Sequence, residues 1–178
     1  MNPAGVLTFG GGCEPGWRPT FGQRPGLDYQ VRALAAFDEG DGPTLFAAGD
    51  FLQAGSVSAF HVARWDGWSW TEMGEGLGSA FDTGLVAALA VSEVGGAPSL
   101  YAGGEFGSLG ANNVARWTGT TWAKLGSVTT GGVYALATFD DGSGPQLYAG
   151  GSFGRPAARA RAASRAGTER AGRRSRAA

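Results

Sequence analysis

The stretch LYAGG stands at residues 100–104 and again at residues 147–151, and a close variant, LFAAG, stands at residues 45–49. After one intervening residue, each copy is followed by a phenylalanine, at Phe51, Phe106 and Phe153. A motif that returns at intervals of roughly 20 to 50 residues is typical of repeat proteins, in which each repeat is one supersecondary unit. The sequence therefore predicts a repeat architecture.

Two further blocks extend the repeat on either side of this motif. Upstream, residues 31–42 read VRALAAFDEGDG, residues 86–97 read VAALAVSEVGGA and residues 133–144 read VYALATFDDGSG. Downstream, residues 62–74 read VARWDGWSWTEMG and residues 114–126 read VARWTGTTWAKLG. The chain thus contains two complete units and the first half of a third.

Each complete unit contains four short runs rich in β-branched, aromatic and small apolar residues, separated by turn-forming clusters. This spacing predicts a string of strands with tight turns. In the first unit the runs are residues 31–37, 44–48, 61–65 and 69–73. Asp66-Gly67 predicts a hairpin between the last two, because both residues tolerate the positive φ that a two-residue turn needs. Four antiparallel strands in about 50 residues correspond to one blade of a β-propeller.

The predicted fold is therefore all-β, a partial β-propeller of four-stranded antiparallel blades. The expected organisation is an N-terminal segment at 1–30 with an outer strand at 16–22, blade 1 at 31–85, blade 2 at 86–132, the first half of blade 3 at 133–153, and an Arg/Ala-rich tail at 154–178. A ring needs at least about four blades. We therefore expect a fragment of a longer repeat protein, and we expect the isolated chain to self-associate through exposed blade faces.

A hydrophobic strand ending in Gly-Gly, a variable loop, and then an aromatic residue and a tryptophan flanking a hairpin together resemble the kelch-type repeat. The resemblance covers residues 31–153 and extends to the central propeller of galactose oxidase. Three departures stand out: tryptophan replaces the usual tyrosine at Trp65 and Trp117, the hairpin is shorter, and Ala48-Gly49 replaces the diglycine. The chain is thus similar to divergent bacterial kelch-like repeats, and this resemblance favours an extracytoplasmic or secreted location, although no signal peptide is visible at the N-terminus.

Nine repeat residues are expected to be structural, namely Gly49, Gly103, Gly104, Gly150, Gly151, Trp65, Trp70, Trp117 and Trp122. The tryptophans would fill the gap between neighbouring blades, with each indole N–H bonded to an acceptor. The alternative for the tryptophans is a stacking platform for sugars or bases.

The tail differs sharply from the rest of the chain. Residues 155–178 hold eight Arg, nine Ala and one acidic residue, Glu169, whereas residues 1–154 hold six Lys/Arg and 14 Asp/Glu. Three interpretations compete: a disordered basic arm that binds phosphates, a solvated extension without function, and a shifted reading frame. The first is disfavoured because the tail has no aromatic residue for base stacking, so nucleic acid is not a favoured partner.

The frameshift hypothesis is compatible with the genetic code. In the frame that begins on each codon's third base, residues 163–172 can encode Val-Ala-Arg-Trp-Asp-Gly followed by a second tryptophan. This is the missing half of the third unit. The nucleotide sequence tests the hypothesis, which requires the codons of Ala166 and Ala171 both to end in T.

Catalytic and metal sites are not supported by the residues present. The chain has one histidine, His61, expected at the surface, and one cysteine, Cys13. This pair falls short of the convergent ligand cluster that copper or zinc requires. The acidic groups Asp38, Glu39 and Asp41, and the pair at residues 140–141, are expected to form turns rather than a calcium site. We therefore expect no cofactor, no metal and no enzymatic activity.

A speculative ligand-binding rim remains, formed by Asp50, Glu105 and Ser152, which follow the three copies of the glycine motif. Acid–base catalysis would need two carboxyls in unlike environments, whereas repeat-equivalent positions are expected to share one. The favoured function is non-catalytic binding of an unidentified protein or glycan, or a structural scaffold. The alternative is a fragment of an extracellular carbohydrate-active or oxidase-type propeller enzyme whose catalytic residues lie elsewhere. No run of about 20 apolar residues predicts a membrane span.

Overall fold

The computed structural model describes residues 6–7, 17–18, 26–78, 84–94, 96–106, 113–125 and 131–152. Within those residues the chain is all-β, without a helix. The strands are β1 (Val6–Leu7), β2 (Trp17–Arg18), β3 (Val31–Asp38), β4 (Pro43–Gly49), β5 (Gln53–Ala54), β6 (Val57–Ser58), β7 (Val62–Trp65), β8 (Trp70–Glu72), β9 (Leu85–Ser92), β10 (Ser99–Glu105), β11 (Val114–Trp117), β12 (Trp122–Lys124), β13 (Val133–Asp140) and β14 (Pro145–Gly151).

All pairings between these strands are antiparallel, and three sheets follow the repeat. Sheet 1 has the order β3-β4-β7-β8, sheet 2 has the order β9-β10-β11-β12, and sheet 3 is the pair β13-β14. The short β5-β6 ribbon is inserted in sequence between β4 and β7, where the first unit carries extra residues. The described strands form no closed sheet.

The four strands predicted for the first unit are present, with ends shifted by at most one residue. The predicted hairpin at Asp66-Gly67 is also present, but its connection is four residues long, because Trp65 pairs directly with Trp70. Asp66 accepts hydrogen bonds from the backbone N–H groups of Trp68 and Ser69, both at 2.7 Å. Its side chain thus organises the longer turn.

The predicted outer strand at 16–22 is described only at Trp17–Arg18. These two residues pair with Val6–Leu7 rather than with a strand of sheets 1 to 3. The other residues of the predicted outer strand lie outside the described residues. Phe153 and the tail that follows it also lie outside them.

The three sheets pack in series, with β9 in contact with β3 on one side and with β13 on the other. One hydrophobic cluster joins sheets 1 and 2 through residues such as Phe46, Val86 and Trp117. A second cluster joins sheets 2 and 3 through residues such as Tyr101 and Val133. Small inner-strand residues permit this close approach between sheets.

The LYAGG motif assigns its side chains to two faces, because successive residues of a strand point to opposite sides. Its second position faces the next sheet along the chain: Phe46 of sheet 1 lies in the cluster with sheet 2, and Tyr101 of sheet 2 lies in the cluster with sheet 3. Its third position faces the preceding sheet, as Ala102 does toward sheet 1 and Ala149 toward sheet 2. Each repeat therefore packs on its neighbour in the same way.

The last glycine of the motif lies where the inner strand carries an extra residue. The register between β9 and β10 shifts at Gly103 and Gly104. A Cβ at Gly104 would lie 2.0 Å from the carbonyl oxygen of Leu85, and one at Gly49 would lie 1.9 Å from the carbonyl oxygen of Gln30. Glycine is therefore required at both positions by backbone contact rather than by a positive φ.

Candidate functional site

The three predicted rim residues lie directly beyond, or at the end of, the second strand of each sheet. Glu105 is the last residue of β10, while Asp50 and Ser152 follow β4 and β14. The structure supplies each of them with a different set of partners.

Asp50 forms a two-pronged ion pair with Arg32 of the inner strand β3. Arg32 Nη2 donates to Asp50 Oδ2 at 2.7 Å, and Arg32 Nε donates to Asp50 Oδ1. The hydrogen bond with Asp50 raises the pKa of the Arg32 guanidinium above its ordinary value. The side chain of Arg32 keeps 40% of its surface exposed, against 19% for Asp50. The accessible part of this pair is therefore the cation.

Glu105 and Ser152 are brought together by Tyr134, which lies on the inner strand of sheet 3. Tyr134 Oη donates a hydrogen bond to Glu105 Oε1, and Ser152 Oγ lies 3.4 Å from the same hydroxyl. A Cβ at Gly132 would lie 2.5 Å from Glu105 Oε1, so only glycine leaves room for this contact. Tyr134 thus connects sheet 2 to sheet 3 across the rim, where its side chain is half exposed.

The two carboxylates do not share one environment, contrary to the expectation from their repeat positions. Asp50 faces a guanidinium of its own sheet, whereas Glu105 faces a phenol of the next sheet. The reason is that the inner-strand position beside them varies among the repeats: it is Arg32, Ala87 and Tyr134 in turn. The sequence prediction rested on positions that are alike in all repeats. It therefore missed Arg32 and Tyr134, which stand at a position that differs among them.

Trp117 forms a hydrogen bond with Glu39, a residue that the sequence predicted to lie in a turn. Its Nε1 donates to Glu39 Oε1 at 2.7 Å, and Arg64 Nη1 lies 3.2 Å from Glu39 Oε2. Glu39 follows the inner strand of sheet 1, while Trp117 belongs to sheet 2. One carboxylate thus joins two sheets and a cation.

Asp38 and Asp140, at equivalent positions in two of these turns, bond to the backbone of their own turns. Asp38 Oδ1 accepts from the N–H groups of Gly40 and Gly42, at 2.7 and 3.0 Å. Asp140 Oδ1 repeats the arrangement with Gly142 and Gly144, at 2.8 and 2.9 Å. These carboxylates are oriented by turn geometry.

The expectation of a surface position for His61 is wrong, because only 2% of the residue is exposed. Its backbone has a φ of +75°, and its N–H and C=O bond to Phe51 and Gly49 at 2.8 and 3.0 Å. Among the described residues no group of three or more His, Cys, Asp or Glu side chains is placed to hold a metal ion.

Buried Asn113 is a further residue that the sequence did not reveal. Its Oδ1 accepts from the N–H of Phe106 at 3.1 Å, and its Nδ2 donates to the carbonyl of Gly131 at 2.7 Å. It thereby connects the end of β10 with the segment before β13. Asn113 stands where the first unit has His61, so both positions that precede the VARW strand are buried.

Within the described part of the chain there is no helix of the length and hydrophobicity needed to cross a membrane. No protein-family model matches the sequence, no curated protein matches it, and no solved structure matches the fold.

Proposed function

We propose that the chain is a non-catalytic binding segment of a β-propeller built from kelch-like repeats, with the rim as the site that contacts a protein or glycan ligand. The observation that carries this proposal is the serial packing of the units through equivalent positions of the LYAGG motif. In a β-propeller, four-stranded antiparallel sheets pack on one another in series around an axis, and the serial packing supports this proposal. The fold alone does not assign a ligand.

The chemistry of the rim supports binding rather than reaction. Arg32 offers exposed donors, the Ser152 hydroxyl can donate or accept, and the Tyr134 hydroxyl, whose hydrogen goes to Glu105, keeps acceptor capacity. Such groups form directional hydrogen bonds with sugar hydroxyls or with peptide carbonyls. The carboxylates of Asp50 and Glu105 are already engaged by Arg32 and Tyr134, which orients the donors.

The experiment is a screen of the labelled full chain on a glycan array and on a peptide array, followed by calorimetric titration of each hit. We expect Arg32→Gln and Tyr134→Phe to weaken binding at least tenfold. Asp41→Asn is the matched control, because Asp41 is an exposed residue in the turn beyond the opposite end of β3, and it should leave the affinity within twofold. The proposal would be contradicted if neither rim variant changed the affinity for any hit, or if neither array gave a hit.

A further inference from the structure

The outer edge of β14 differs from the corresponding edges of the other two sheets. In sheet 1, β4 pairs with β3 on one side and with β7 on the other; in sheet 2, β10 pairs likewise with β9 and β11. β14 pairs with β13, and among the described residues no strand pairs with its other side. Gly150 and Gly151 on this strand are exposed.

The two complete sheets define the register that this edge would accept. In sheet 1 the pairs are Leu45–Trp65, Phe46–Arg64, Ala47–Ala63 and Ala48–Val62, and in sheet 2 they are Tyr101–Arg116, Ala102–Ala115 and Gly103–Val114. Both sheets therefore place Val-Ala-Arg-Trp opposite the LYAGG motif in one register. Because β14 carries LYAGG itself, Ala149 would lie opposite the alanine of such a strand.

The backbone groups that would bond to it follow from the same equivalence. Gly49 N–H donates to the carbonyl of His61 at 3.0 Å, and Gly104 N–H donates to the carbonyl of Asn113 at 3.1 Å. N–H groups alternate in direction along a strand. The N–H groups of Ala149 and Gly151 in β14 therefore point toward the open edge, and those of Tyr148 and Gly150 point toward β13.

The strands that occupy this edge in sheets 1 and 2 come as hairpins with paired tryptophans. The ring centroids of Trp65 and Trp70 lie 5.2 Å apart, as do those of Trp117 and Trp122. Trp117 then packs against the preceding sheet. The same register at β14 would bring an equivalent tryptophan toward sheet 2.

From these observations we propose that β14 is a β-augmentation site, which binds in trans a β-hairpin with the pattern Val-Ala-Arg-Trp, a short turn and a second tryptophan. Main-chain hydrogen bonds to the edge supply affinity, and side chains that alternate between the two faces supply specificity, as in other strand-addition complexes. This inference rests on the pairing of β14 and not on ligand binding at the rim. The two proposals can therefore fail separately.

The test is a titration of the full chain with a fluorescent peptide of residues 113–125, NVARWTGTTWAKL, followed by polarisation and by amide hydrogen exchange. We expect saturable binding and slower exchange at Ala149 and Gly151. A peptide N-methylated at Ala115 should bind at least tenfold more weakly, because Ala115 N–H faces β10 in sheet 2 and would face β14 in the complex. N-methylation at Lys124, whose N–H points away from β11, is the matched control and should change the affinity less than twofold.

A variant of the chain supplies the reciprocal measurement. Ala149→Pro removes one edge N–H, and proline is tolerated on an edge strand when its missing N–H faces solvent. We expect this variant to lose at least tenfold in peptide affinity. Absence of saturable binding, equal weakening by both N-methyl groups, or protection confined to sheets 1 and 2 would each overturn the proposal; the two methylated peptides decide the matter even where Ala149→Pro perturbs folding.

Discussion

Sheets 1 and 3 carry equivalent aromatic pairs on the same face, but the described residues bury this face more completely in sheet 1 than in sheet 3. Phe46 and Phe37 form an aromatic pair with centroids 6.2 Å apart, and Phe46 is fully buried against sheet 2. Tyr148 and Phe139 form the equivalent pair on sheet 3, also at 6.2 Å, but 60% of Phe139 is exposed. The difference shows that the repeat specifies a packing surface, whereas the burial of that surface depends on contacts with a neighbouring sheet, as sheet 2 supplies to sheet 1.

The largest effect is expected for the paired aromatic substitutions. Phe46→Ala removes a fully buried ring between two sheets and should lower the free energy of unfolding by about 3 to 5 kcal/mol. Tyr148→Ala removes the equivalent, half-buried ring of sheet 3 and should cost about 1 kcal/mol or less. Urea unfolding followed by tryptophan fluorescence measures both. Equal losses would mean that the face of sheet 3 is covered in solution.

A second comparison concerns the glycines that precede the bulge. A Cβ at Gly103 would lie 2.7 Å from Val133 Cγ1 and 3.3 Å from Leu136 Cδ1, so sheet 3 would have to move away from sheet 2. Gly103→Ala should therefore cost about 1 to 3 kcal/mol of unfolding free energy through overpacking.

Gly150→Ala is the matched control for that substitution. The new Cβ would meet Ala135 Cβ at 3.7 Å, an ordinary contact on an exposed face. We expect the free energy of unfolding to change by no more than about 0.5 kcal/mol. A large loss here together with a tolerated Gly103→Ala would show that the order of the sheets is not as described.

The contact between Glu39 and Trp117 is expected to give an intermediate effect. Glu39→Ala removes the acceptor of the indole N–H together with the partner of Arg64, and should cost about 1 to 2 kcal/mol of unfolding free energy. Glu39→Gln keeps an acceptor oxygen and should cost less than half as much, because an exposed ion pair contributes little. Thermal unfolding of the two variants separates these contributions, and a Glu39→Gln loss as large as that of Glu39→Ala would assign the effect to Arg64.

The smallest effect distinguishes the two tryptophan hairpins by their response to pH. Hydrogen bonds from the backbone N–H groups of Ser69 and Trp68 lower the pKa of Asp66 below its ordinary value of 3.8. A carboxyl with a lowered folded-state pKa stabilises the fold above its unfolded-state pKa, and that contribution is lost as pH falls through the folded-state pKa. The stability difference between the wild-type chain and Asp66→Asn should therefore be present at pH 6 and shrink below pH 3.8.

In the other hairpin a hydroxyl occupies the place of Asp66. Thr118 Oγ1 accepts from the N–H of Thr121 at 3.1 Å, and a hydroxyl does not titrate in this range. Unfolding of Thr118→Ala across the same pH values should show a constant loss. A parallel pH dependence in both hairpins would assign the effect to another group.

Much of the strand pattern was predictable, because turn residues and short apolar runs are local signals. The four strands of the first unit and the hairpin between its tryptophans follow from Val31 to Met73 alone. The site was less predictable: Asp50 and Glu105 were found by repetition, but their partners Arg32 and Tyr134 lie at a position that varies among the repeats. The burial of His61 was also missed, because a polar residue at the start of an outer strand carries no local signal of burial.

The sequence by itself determined the repeat strands and the turns between them, because short apolar runs and turn residues are encoded locally. Tertiary structure decided which faces are buried, which polar residues meet and which strand edges are paired among the described residues, because these depend on contacts between residues far apart in the chain. Glu39 illustrates the division. Its turn is predicted by the local sequence of residues 38–42, DEGDG, whereas its hydrogen bond with Trp117, 78 residues away, forms only when two sheets pack together.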